Sequence, residues 1–177
     1  MCGIAGFIDN MLSLEERTDL LKKMGRALKH RGPDGRGVWY DKQSGIGFSH
    51  TRLSLNDLTP TGHQPMHSSS GRYVIIFNGE IYNFRILGEE LSKEAVQLVG
   101  QSDTEVLLEA IEQWGIQKTL ELAQGMFAFA LYDRTNRKLY LVRDKIGEKP
   151  LYYGWLGKVF IFSSELNAMQ LHPKWKV

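Results

Sequence analysis

Residues 1–7 read Met1-Cys2-Gly3-Ile4-Ala5-Gly6-Phe7 (MCGIAGF), and they hold the only cysteine of the 177-residue chain. From Cys2 to Ile8 the residues are almost all small or apolar, the pattern of a strand covered on both faces. Cys2 stands at its first position. Because cysteine and glycine are small, Met1 is removable, and its loss gives Cys2 a free α-amine. A thiol with an ordinary pKa of ~8.5 and an α-amine at ~7.7–8.0 then share one residue, so near neutral pH the amine can take the thiol proton. The ammonium so formed can protonate a departing amine, which suits amide hydrolysis. Two readings of Cys2 stay open at this point: a terminal nucleophile, or the first core residue of an ordinary strand. With Met1 in place its nitrogen is an amide and cannot act as a base.

Bulk properties narrow the function. With 42% hydrophobic and 11% aromatic residues, the chain can fill one real core, so a single domain over 1–177 is expected. The 22 Lys and Arg against 20 Asp and Glu leave a formal charge of +2, no electrostatic footprint for nucleic acid. A single cysteine excludes an internal disulfide, and no charged n-region precedes an apolar run, so a reducing cytoplasm is expected. No apolar stretch approaches the ~18 residues of a membrane span, and no membrane partner is expected.

Beyond the first strand, Ser13 and Glu16 have capping-box spacing, and Leu14, Leu20, Leu21, Met24, Ala27 and Leu28 mark one face of a helix ending near His30. The turn-rich RGPDGRG (31–37) cannot continue it. A hairpin is expected from strands around Val38 to Asp41 and Ile46 to His50, and a β-rich run from Tyr73 that stops at Asn78-Gly79. Helices are expected over Phe84 to Glu94, Thr104 to Trp114 (with capping-box spacing again from Ser102 to Glu105) and Thr119 to Ala123. Four strands then follow, in MFAFALYD, KLYLVRD, PLYYGW and KVFIFS. This order suits two antiparallel sheets with helices on their outer faces.

An N-terminal nucleophile needs donors for a tetrahedral oxyanion. Asn78-Gly79 offers a side-chain amide beside an unhindered backbone N–H, although the same dipeptide also reads as a plain turn. Arg52 suits a carboxylate, and Asp103 at a helix start suits an ammonium; each taken alone is more often a surface charge or an N-cap. His63 and His67 flank Pro65 with no further ligand at metal spacing, so no metal is expected. GPDGRG lacks the Lys-Ser/Thr ending of a phosphate loop.

The stretches MCGIAGF (1–7), HRGPDG (30–35), HTRLSL (50–55), NGEIYN (78–83), SDTE (102–105), GMFAFALYD (125–133) and RDKIGEKPLYY (143–153) occur in that order, and the resemblance they carry runs from residue 2 to about residue 165. In this the chain resembles the class II glutamine amidotransferases, and most of all the glutaminase domain of glutamine-dependent asparagine synthetases. The resemblance implies an α+β N-terminal-nucleophile hydrolase fold, a four-layer αββα sandwich. It implies L-glutamine as substrate and Cys2, Asn78 and Gly79 as the catalytic set. Arg52, Leu53 and Leu55 would face the glutamine α-carboxylate, and Glu80 and Asp103 its α-ammonium. Arg31, Gly32 and Asp34 would support the site from behind. Lys149 and Arg143 read as structural or as facing a partner domain.

The ammonia would pass to a C-terminal ATP-dependent synthetase domain. ATP and Mg are expected only there, so no cofactor is expected within 1–177. Asparagine formation from aspartate is the first expectation. A sugar-acid acceptor in surface-polysaccharide assembly, a catalytically silent regulatory module of the same fold, and an amidase acting on another side chain are the alternatives. A homo-oligomer is compatible with all of them.

Overall fold

The computed structural model describes residues 1–54 and 59–176. Its elements are β1 (Gly3–Ile8), α1 (Leu14–Ala27), β2 (Gly35–Tyr40), β3 (Ile46–Arg52), β4 (Met66–His67), β5 (Tyr73–Ile81), α2 (Phe84–Lys93), α3 (Asp103–Trp114), α4 (Ile116–Leu122), β6 (Gly125–Asp133), β7 (Lys138–Arg143), β8 (Tyr152–Leu156), β9 (Val159–Ser163) and α5 (Leu166–Met169). Two antiparallel sheets form, in the strand orders β2-β3-β1-β9-β8 and β4-β5-β6-β7. Three apolar layers hold them. Ala5 and Phe7 face Leu20, Leu21, Met24 and Leu28 of α1 and its end. Ile4, Phe48 and Phe162 meet Val74, Ile76, Ala128 and Ala130 between the sheets. Ile75, Phe77 and Phe129 pack on Val106, Leu107 and Ile111 of α3. The result is the αββα order expected from the element pattern, and each fully buried Phe or Leu in it contributes roughly 1.5–3 kcal/mol.

Caps form where the spacing places them. Ser13 and Glu16 close a reciprocal box, with Ser13 N–H donating to Glu16 Oε2 at 2.8 Å and Glu16 N–H to Ser13 Oγ at 3.3 Å. At α3 only half of the box forms. Ser102 Oγ accepts Glu105 N–H, while the Glu105 carboxylate takes the N–H groups of Val99 and Gly100 and so holds the preceding loop.

Two expectations about strands need correction. β5 does not stop at Asn78-Gly79 but runs to Ile81, with Asn78 opposite Ala128 and Gly79 opposite Phe127. The dipeptide is therefore no turn. Glycine is required there by a close backbone approach: a Cβ at Gly79 would collide with Met126 O and lie 2.6 Å from Phe127 Cα. Likewise β2 starts at Gly35 rather than Val38, because Gly35 to Gly37 pair with Arg52 to His50 of β3. The short β4 and α5 carry too few residues for a periodic signal.

Candidate active site

Residues two apart on a strand share a face, so each strand lining the inter-sheet core can be followed outward. Ile4 is in that core, and Cys2 lies two residues before it. Ile46 and Phe48 are followed by His50 and Arg52; Val74 and Ile76 are followed by Asn78 and Glu80. At one end of the sandwich, apolar faces thus turn polar together. A pocket opens there, and Cys2, Arg52, Leu53, Asn78, Gly79, Glu80 and Asp103 all line it. Leu55 lies outside the described residues.

The Cys2 thiol is held by the backbone of one residue, donating to Leu53 O at 3.7 Å while Leu53 N–H donates to Sγ at 3.4 Å. Burial pushes the thiol pKa up; the Leu53 N–H, the N-terminal charge and Arg52 pull against it, and Asp103 adds to the rise. The remaining groups around Cys2 fix its backbone. Arg31 Nε donates to Cys2 O at 3.0 Å, and its NH1 is paired with Glu165 at 2.9 Å. Ser164 Oγ accepts Ile4 N–H at 3.0 Å.

Gly32 and Asp34 support the other side. A Cβ at Gly32 would collide with the Thr51 carbonyl and sit 2.6 Å from Arg52 N, so only glycine lets this loop lie against β3. Asp34 N–H donates to Arg52 O at 2.9 Å, and its Oδ2 accepts Ser54 N–H at 2.8 Å. None of Arg31, Gly32 and Asp34 lines the pocket. They hold the backbone of the residues that do.

Asn78 carries the clearest chemical signal. Its side chain is completely buried, yet both Nδ2 and Oδ1 are without a hydrogen-bond partner among the described residues. Buried polar atoms left in that condition cost ~1–3 kcal/mol and call for an explanation. The neighbouring Gly79 N–H is aimed by strand alternation. Tyr82 N–H bonds Gln124 O and Arg134 N–H bonds Arg72 O, so the even-numbered residues of β5 face β6 and the odd-numbered ones face away. Gly79 N–H therefore points off the sheet, between two amides that already have acceptors: Phe77 N–H on Gln64 Oε1 (2.6 Å) and Ile81 N–H on Asp103 Oδ2 (3.0 Å).

The sequence reading did not place Lys149 here. It is only 7% exposed, and its ammonium lies 3.6 Å from Met1 Sδ in the pocket wall. What turns it inward is Asp144 of the same motif, whose carboxylate accepts the N–H groups of Ile146, Gly147, Glu148 and Lys149. Burial works against that carboxylate, yet these N–H groups hold its pKa below the usual range. Arg143 is structural, donating to Lys149 O at 2.7 Å. Met1 itself lines the pocket. Among the described residues no group of three His, Cys, Asp or Glu could hold a metal, and no helix is long and apolar enough to cross a membrane.

A family profile described as "Glutamine amidotransferase domain" matches residues 1–177. Asparagine synthetase [glutamine-hydrolyzing] 3 of Bacillus subtilis (strain 168) is 37% identical over 98% of this chain and 28% of its own length. A putative asparagine synthetase [glutamine-hydrolyzing] 2 of Methanocaldococcus jannaschii is also 37% identical, over 96% of this chain and 35% of its own length. The chain thus spans about a third or less of these curated relatives. Among solved structures, the glutamine phosphoribosylpyrophosphate amidotransferase of B. subtilis superposes with a TM-score of 0.78 at 20% identity, covering 96% of this chain and 43% of that one. That likeness is one of fold. With a profile match over its whole length, the chain belongs to the glutamine amidotransferase domain family.

Proposed function

We propose that this chain is a glutaminase unit: it hydrolyses L-glutamine to glutamate and ammonia through a thioester on Cys2. One observation carries the reading. A buried amide with no partner among the described residues, a backbone N–H aimed off its sheet and the only thiol of the chain meet in one pocket.

The reaction follows from those groups. Once Met1 is gone, the Cys2 amine takes the thiol proton as Sγ bonds to the carboxamide carbon of glutamine. The carbonyl electrons move onto oxygen, where Asn78 Nδ2 and Gly79 N–H donate to the oxyanion; each such donor is typically worth ~3–4 kcal/mol in the transition state. The C–N bond breaks as the Cys2 ammonium returns its proton to nitrogen, releasing ammonia and leaving the thioester. Water, activated by the same amine, hydrolyses the thioester to glutamate and restores the thiol. Arg52 pairs with the α-carboxylate, with Leu53 beside it, while Asp103 and Glu80 receive the α-ammonium.

The ammonia passes to an ATP-dependent synthetase unit, where ATP and Mg act, and the amide formed is asparagine. The names and greater length of the relatives support this. The test is glutamate release from a Met1-free chain, together with labelling by an electrophilic glutamine analogue. Labelling confined to Cys2, in step with loss of activity, is expected. Glutamine hydrolysis that survives Cys2→Ser would refute the reading.

A further inference from the structure

Among the described residues, β5 has only the two-residue β4 on its outer side, and β4 pairs no further than Ile75. From Phe77 to Ile81 the outward backbone groups of β5 therefore have no neighbouring strand among the described residues. Buried peptide groups must find partners, and here side chains provide them. Gln64 Oε1 accepts Phe77 N–H at 2.6 Å, while its Nε2 is anchored on Thr104 Oγ1 at 3.2 Å. His50, on β3 of the other sheet, places Nε2 3.2 Å from Phe77 O. Both side chains are buried.

The His50 ring has one state available. A carbonyl only accepts, so Nε2 carries the hydrogen and Nδ1 keeps a lone pair. Burial supports this by pushing the imidazole pKa down to about 3, which leaves the ring neutral at physiological pH. Together His50 and Gln64 occupy both outward groups of Phe77. The next outward N–H along the strand is that of Gly79, and the side chain between them is Asn78.

We infer that His50 and Gln64 act as a side-chain substitute for a missing edge strand, locking the Phe77 peptide groups so that Asn78 and the Gly79 N–H hold the geometry of an oxyanion hole. Both are positioning residues, and this role rests on the glutaminase reading. Had a real strand paired with β5 as far as Ile81, it would have taken the Gly79 N–H as well. Two side chains in its place satisfy Phe77 and leave the Gly79 N–H without a strand partner on that side among the described residues.

The experiment compares His50→Phe, His50→Gln and Gln64→Met with the wild type, all full-length and Met1-free. His50→Phe keeps a buried ring and removes the donor, and Gln64→Met removes the acceptor. Each should lower kcat for glutamine roughly 10- to 100-fold, as expected when reacting groups are displaced by ~1 Å, with KM little changed. His50→Gln retains a neutral N–H and should recover most of the rate. The discriminating readout is alkylation of Cys2 by iodoacetamide. That reaction occurs at a saturated carbon and builds no oxyanion, so its rate should match wild type in every variant. An unchanged kcat in His50→Phe, or alkylation falling in step with kcat, would overturn the inference. If His50→Phe does not fold, Gln64→Met applies the same test. A wild type with no glutaminase activity would overturn the functional reading instead; in that case Gly79 and Phe77 amide resonances unmoved by His50→Phe would separately overturn this one.

Discussion

Replacing Asn78 by leucine should make the protein more stable and nearly inactive. Leucine has the branching of asparagine, with methyl groups where the amide carries oxygen and nitrogen. In the free protein Asn78 is completely buried and neither polar atom has a partner, so the substitution removes no hydrogen bond among the described residues. It relieves the desolvation of an unpaired buried amide, ~1–3 kcal/mol. For a domain of this size each kcal/mol moves Tm by roughly 2–4 °C, so Tm should rise by about 2–12 °C. Loss of the donor should lower kcat by ~10²–10³ with a smaller change in KM, because the bond is made only in the transition state. Thermal melts followed by circular dichroism and a glutamate-release assay measure both on one preparation. A Tm lowered by several degrees would show that Asn78 is a satisfied structural residue, and an unchanged kcat would remove it from the oxyanion hole.

Three further outcomes follow from the same pocket. A preparation retaining Met1 should release no glutamate, since the Cys2 nitrogen is then an amide and Met1 occupies the pocket wall beside Lys149; mass spectrometry of the N-terminus should show activity tracking the processed fraction. In that retained form burial raises the Cys2 pKa, so the thiolate appears only above the ordinary thiol value; iodoacetamide reactivity should titrate at higher pH than a free cysteine at ~8.5, and a lower midpoint would contradict the buried setting. Arg52→Ala should raise KM strongly and leave kcat comparatively unchanged, as a carboxylate clamp acts in ground and transition states alike; steady-state kinetics giving the reverse would exchange its role with that of Asn78.

The parts of this protein that were legible in its sequence are those whose cause is local. Alternating and continuous apolar runs mark most of the strands, and Ser13 with Glu16 marks the start of α1, because periodicity and capping act over a few residues. Asn78-Gly79 misleads for the same reason. The dipeptide carries a strong local turn preference, and what overrides it is the pairing of Gly79 with Phe127, almost fifty positions away in the chain, at a separation that admits no side chain. Lys149 has a nearby cause that residue type does not announce: its inward turn depends on the loop that Asp144, five positions earlier, forms by gathering the surrounding N–H groups.

His50 and Gln64 show why positioning residues are the hardest to read. A nucleophile, a carboxylate clamp or an oxyanion donor needs a particular chemical group, so residue type and motif carry a signal. A residue that completes another segment's backbone needs only a donor or an acceptor at the right place, and many side chains could supply one. Its identity becomes informative only when the sheet order reveals a strand with an uncovered edge, as β5 has beyond Ile75 on the side away from β6 among the described residues. It follows that Thr104, which anchors Gln64 at 3.2 Å from the first turn of α3, belongs to the same support although it sits in a motif read for its aspartate. Asp103 then has two tasks on one carboxylate: Oδ2 holds Ile81 N–H on the far side of Gly79, and the group also faces the pocket. Substituting it should therefore disturb the strand edge as well as substrate binding, so its kinetic signature should combine a raised KM with a lowered kcat, unlike that of Arg52.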